Sequence, residues 1–198
     1  MYNNRKPRVT SMGLIANSDL GHRIFLSVTG GKIRRRTKDG NEEFYKSVEG
    51  KFKGISMRES EYNGAPVNFY DFHLVDGNDE FVLSINRASS VARSIVLNLA
   101  SVKSFAGTTI RISPWLKENN GKQFTNISVY QNNEKLGWVT NELPEVPTVT
   151  VGSVVVKDDS KLISFVQQLV DGINLVVNRE LASDEPDGLS SELEDMPE

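Results

Sequence analysis

The sequence predicts a mainly β protein. Five principal strands form a small Greek-key barrel, with a helix between the third and fourth, extra N-terminal strands and a C-terminal helix. Three observations lead there. Most segments from His22 to about Lys135 alternate apolar and polar residues with period two, between Asn-Gly, Asp-Gly and Gly-Gly turn signals. A single stretch inside that run, ASSVARSIVLNLASVKSF, changes to the 3.6-residue period. Gly50 and Gly54 interrupt one strand pattern, as expected where a strand bends sharply at a barrel corner.

Taken in order, residues 1–20 carry Arg5, Lys6 and Arg8 with few large apolar groups and read as a flexible basic arm. HRIFLSVTGGKIRRRT is strand-like around Gly30-Gly31, and KDGNEE is a turn. FYKSVEGKFKGISMRES sets Val48, Gly50 and Phe52 against Glu49, Lys51 and Lys53. After the Asn63-Gly64 turn, Tyr70, Phe72 and Leu74 face one way, and Phe69, Asp71 and His73 the other. DGND closes a hairpin into EFVLSINR. Val91, Ile95, Leu99 and Val102 then mark the helix, capped by Ser89 or Ser90 and ended by Gly107. GTTIRISPWL and QFTNISVYQ are the last two principal strands, with LGWV as a closing segment and VTVGSVVV as an edge strand. Asp158, Asp159 or Ser160 caps a second helix striped by Leu162, Phe165 or Val166, Leu169, Ile173 and Val176. The expected organisation is an arm over 1–20, a barrel domain with its N-terminal extension over 21–156, a helix over 157–179 and an acidic tail over 180–198.

The overall charge of −3 hides a strong asymmetry. Residues 1–140 hold 20 Lys and Arg against 13 Asp and Glu, a net of +7, whereas residues 141–198 hold 3 against 13, a net of −10. Such a split points to a basic binding domain with an acidic appendage. From Glu180 onward there are eight acidic residues and no basic one, interspersed with Pro, Ser and Gly. The absence of cysteine excludes disulfides, thiolate metal sites and cysteine nucleophiles. No apolar run is long enough for a membrane helix, and no secretory pattern opens the chain, so a cytoplasmic location is expected.

A bent strand, two hairpin steps, a helix and a final hairpin is the strand order of the OB-fold, whose second and third strands and loops bind oligonucleotides. From about residue 44 to residue 198 the arrangement resembles the single-stranded DNA-binding proteins of bacteriophages and bacteria, with one OB-fold followed by an acidic tail, here DEPDGLSSELEDMPE. The resemblance implies binding of single-stranded DNA with little sequence preference, in replication, recombination or repair. It implies a tail that recruits replication or repair proteins and competes with DNA for the basic groove. Bacterial members end on an aromatic residue. This chain ends Asp195-Met196-Pro197-Glu198, which points to the phage type, acting in the host cytoplasm.

Binding a single strand needs cations along the phosphates and flat side chains under the bases. The cation candidates are Arg34, Arg35, Arg36 and Lys38, then Lys51 and Lys53, then Arg111, Lys117 and Lys122. Three consecutive Arg on a strand place two on one side and one on the other. Phe69, Trp115, Phe124 and Tyr130 are the stacking candidates, and His73 would stack or hold a local hydrogen bond. Trp138, in LGWV, is assigned to packing. Asp71, Asp76, Asp79 and Glu80 suggest a Mg²⁺-dependent nuclease, but DGND is first a turn, and no activated nucleophile accompanies it. No enzyme activity, metal or cofactor is expected. The rival readings are a replication accessory or virion component using the barrel as a scaffold, and an RNA-binding OB-fold protein. A homo-oligomer is compatible with the C-terminal helix.

Overall fold

A computed structural model describes residues 22–152 and 154–183. The basic arm expected over 1–20 and the tail beyond Ser183 lie outside the described residues. The fold is mainly β, with one large mixed sheet and two helices.

The strands are β1 (Arg23–Thr29), β2 (Lys32–Arg36), β3 (Glu42–Tyr45), β4 (Val48–Tyr62), β5 (Ala65–Asp76) and β6 (Asp79–Asn86). Helix α1 (Ser90–Leu99) follows, then β7 (Ile110–Asn119), β8 (Lys122–Gln131) and the short β9 (Glu134–Lys135). A separate hairpin, β10 (Thr148–Val151) and β11 (Val154–Lys157), precedes helix α2 (Ser160–Ser183). The nine-stranded sheet runs β3-β2-β1-β6-β5-β4-β7-β8-β9. Every recorded pairing is antiparallel except β1 with β6, where Arg23 to Leu26 lie beside Glu80 to Leu83.

The alternation read from the sequence sets the inner face. Tyr70, Phe72, Leu74, Leu83, Ile85, Ile110, Ile112 and Val129 are buried against Ala92, Ile95, Val96 and Leu99 of α1. Val48 and Phe52 join them from β4, while Lys51 and Lys53 stay exposed. The bend expected at Gly54 is a bulge. The β4–β5 register shifts between Phe52 and Gly54, and Gly54 has φ 123°, a conformation that L side chains rarely adopt. β4 pairs with β7 only over Val48–Gly50. Beyond that, Asn174 of α2 takes the place of a strand at Ile55: its Oδ1 accepts from Ile55 N and its Nδ2 donates to Ile55 O, both at 2.8 Å. The sheet also curls on itself. A Cβ built at Gly31, in the β1–β2 turn, would lie 2.7 Å from Leu116 Cγ and 2.8 Å from Leu116 N, so only glycine fits there.

Four elements differ from expectation. Helix α1 is capped by Ser89, whose side chain accepts from Ala92 N, but it ends at Leu99 rather than near Gly107. Val102 and Phe105 continue the apolar pattern because the following loop is folded into the core. LGWV is not a strand: β9 stops at Lys135 and Trp138 is exposed. VTVGSVVV is a hairpin turning at Gly152 rather than one edge strand. Helix α2 begins at Ser160, with Asp158 Oδ1 accepting from Ser160 N, and extends to Ser183, beyond the expected end at 179. Its buried line is Leu162, Val166, Val170, Ile173 and Val177; Phe165, Leu169 and Val176 flank it.

Candidate nucleic-acid interface

Side chains directly opposite one another in an antiparallel ladder share a face. On β7 and β8, Trp115 stands opposite Asn126, Lys117 opposite Phe124, and Asn119 opposite Lys122. Trp115, Lys117, Lys122 and Phe124 therefore project from one side of a single hairpin. The register makes Trp115 and Phe124 diagonal neighbours, about 7–8 Å apart. Trp115 is 43% exposed and Phe124 51%. Both rings are near the hairpin end, where Asn120 and Gly121 take positive φ and make the tight turn. Among the described residues, neither Lys117 nor Lys122 forms an ion pair.

Arg111 and Tyr130 lie further along the same face and are already engaged. The Arg111 guanidinium sits 4.5 Å above the Tyr130 ring, donates to Asn133 Oδ1 at 2.9 Å and approaches Glu49 at 3.8 Å. They form a fixed cationic step beside the open rings.

The arginine run divides as its spacing requires. Arg34 lies between Ser27 and Phe44, and Arg36 lies opposite Glu42, so both belong to the face of Ser27 and Phe44. Arg35 lies between Leu26 and Glu43 and lines a cavity of about 310 Å³ with Ile24, Ile33 and Phe81. Arg34 Nε donates to Ser27 Oγ and Arg34 Nη1 to Glu42 Oε1, each at 3.1 Å, while Arg35 is 3.5 Å from Glu43. Such exposed pairs are worth roughly 0–1 kcal/mol, so a phosphate can displace them. Lys51 shares its row with Val75, and Lys53 occupies the bulge.

Phe69 and His73 sit differently. Both lie on the outward face of β5, as their alternation predicts, but neither is free. The Arg58 guanidinium covers the Phe69 ring at 4.8 Å while its Nε donates to Asp71 at 2.9 Å. His73 Nε2 lies 2.8 Å from Ser56 Oγ, and its Nδ1 lies 2.8 Å from Glu80 Oε1. The other Glu80 oxygen accepts from Arg23 Nε at 2.7 Å. That hydrogen bond is the main reason the Glu80 carboxyl is held below its ordinary value; partial burial opposes it and His73 adds to it. Asp71 is buried between these rows, and no group of three or more His, Asp or Glu among the described residues is arranged to hold a metal ion.

No family model, curated protein or solved structure matches the chain.

Two residues of that geometry were missed in the sequence. Phe25 is 60% exposed and Phe44 is 51% exposed, and both share the face of Arg34. The signal was present in RIFLSVT. Phe25 has the parity of Arg23 and Ser27, against the apolar parity of Ile24, Leu26 and Val28.

Proposed function

We propose that this protein binds single-stranded DNA with little sequence preference and catalyses no reaction, protecting exposed strands in replication, recombination or repair. The observation that carries this reading is the β7–β8 face, where two exposed aromatic rings stand beside two lysines that form no ion pair among the described residues. Stacking on rings and phosphate contact from cations are the two interactions that a sequence-tolerant single-strand site combines. The strand order supports an OB-fold assignment: β8-β7-β4-β5-β6, with α1 between the third and fourth of these strands in the chain, is the order of that fold.

The segment 184–198 carries seven acidic residues and no basic one. In this proposal it competes with DNA for the cationic face and recruits replication or repair proteins once displaced. No described helix is long and apolar enough to cross a membrane.

The test is fluorescence of Trp115, isolated by Trp138→Phe, titrated with single-stranded DNA and RNA oligomers at two salt concentrations. Quenching by DNA that weakens steeply with salt is the expected result. No response at either salt, together with no shift in a gel assay, rejects DNA binding. Equal or tighter binding of RNA replaces DNA as the ligand. For the tail, truncation after Ser183 should tighten DNA binding at low salt, and unchanged or weaker binding refutes competition. The cut must spare Glu180, whose Oε2 accepts from Phe105 N at 2.8 Å and ties α2 to the core.

A further inference from the structure

We propose that β1–β3 form a second lobe of the same DNA path, with Phe25 and Phe44 as base-stacking platforms and Arg34 and Arg36 as phosphate contacts. The inference rests on the reading of the β7–β8 face as a single-strand site and extends that site across the molecule.

The core does not account for these two rings. Phe25 on β1 and Phe44 on β3 are more than half exposed, whereas Leu26 on β1 and Ile33 on β2, which face the other way, are buried. A strand that only closed the sheet would need apolar residues on its inner side alone. Here one outward row, Ser27–Arg34–Phe44, is flanked by Phe25 and Arg36. That alternation of ring and guanidinium repeats the chemistry of Trp115, Lys117 and Phe124.

Charge selects the occupant. Residues 22–46 carry seven Lys and Arg against three Asp and Glu, a net of +4. On β2 the ion pairs of Arg34 and Arg35 are with exposed glutamates, Arg34 also donating to Ser27 Oγ, and Arg36 has no ion-pair partner among the described residues. An apolar protein partner would have to bury these guanidinium groups, whereas a polyanion neutralises them and releases counterions.

Position links the lobes. The β1–β2 turn abuts β7 at the Leu116 side chain and the peptide bond between Trp115 and Leu116, the close approach that admits only glycine at position 31. Arg34 lies three residues from Gly31, about 10 Å along the strand. A DNA strand stacked on Trp115 would thus have to pass the edge of β7 to reach the β1–β2 turn, and from there would follow β1–β3 to Phe44. The N-terminal strands, which the five-stranded core does not require, lengthen the site.

The experiment compares the full-length protein with F25A/F44A on oligothymidylates of increasing length, with Trp115→Ala alongside. Wild-type affinity should rise with length until both lobes are covered. F25A/F44A should match it on the shortest oligomers that bind, plateau at a shorter length, and bind long oligomers about fivefold or more weakly. Identical length dependence in wild type and F25A/F44A, while Trp115→Ala loses affinity, overturns the second lobe and leaves the β7–β8 site standing. Failure of the wild type to bind any oligomer removes both. If F25A/F44A unfolds, F25L/F44L keeps the apolar volume without the flat face and should give the same early plateau. Loss of a wild-type dimer in F25A/F44A, with DNA binding unchanged, reassigns the face to a second copy and refutes the proposal.

Discussion

On β5 and β6 most outward polar groups are paired with one another, and among the described residues only Asp71 Oδ1 is buried without a hydrogen-bond partner. Ser56, His73, Glu80 and Arg23 form one hydrogen-bonded line, and Arg58 both covers Phe69 and neutralises Asp71. On β7 and β8, with the same ladder geometry, Trp115 and Phe124 are open, and Lys117 and Lys122 form no ion pair among the described residues. The two regions have similar residue types at similar spacing. They differ in whether each charge has a partner of its own. A paired network rigidifies the sheet, whereas the open groups are where the proposed DNA ligand would make its contacts.

The largest effect should come from removing the open rings. Trp115→Ala and Phe124→Ala should each weaken binding of single-stranded DNA by about 1–3 kcal/mol, with thermal stability changed far less. Comparable losses from Arg58→Ala would erase the distinction between the regions. Arg58→Ala should instead lower stability by about 1–3 kcal/mol in urea denaturation, because it strands the buried Asp71 carboxylate, and leave oligomer affinity nearly unchanged. Lys117→Ala with Lys122→Ala should reduce the slope of log affinity against log salt by about 1.4, the contribution of two phosphate contacts on a single strand, at little cost in stability. An unaltered slope would mean that these lysines do not touch phosphate.

The smallest effect is a pH dependence. Glu80 is depressed below its ordinary 4.5 by Arg23, so its contribution to stability is complete above that value and is lost as pH falls through the lower folded-state value. In urea midpoints measured from pH 6 to 3, Arg23→Ala should destabilise the protein by less than about 1 kcal/mol at pH 6, and the gap should close towards pH 3. A gap that widens on acidification would contradict the assignment.

The period-two pattern made most of this fold legible. The inner rows of β4, β5 and β6, the helix between strands and the turns at Asn63-Gly64 and Asp76-Gly77 follow from local sequence. So does the split of Arg34 and Arg36 from Arg35. Partnership across the sheet was not legible. Nothing local to Phe69 announces that Arg58 covers it, and nothing near His73 announces Ser56, because these pairs depend on the β4–β5 register beyond the Gly54 bulge. Ends of helices were misjudged where a loop re-enters the core: Val102 and Phe105 carry the apolar signal of a helix without its hydrogen bonds. Phe25 was overlooked because a phenylalanine in a β-branched run reads as core unless its parity is counted.

The parallel seam between β1 and β6 has a kinetic consequence. Arg23 and Glu80 are 57 residues apart, and β1 emerges from the ribosome well before its partner strand exists. Until then β1–β3 are an isolated meander, marginal in water. The β4–β5–β6 meander, joined by short turns, costs less loop-closure entropy than the β1–β6 seam and should form before it. Substitutions in β5 should therefore slow refolding, whereas substitutions at the β1–β6 seam should chiefly speed unfolding. The β1–β3 strands, which carry the arginine run, should then be the last part of the sheet to dock and the first to leave.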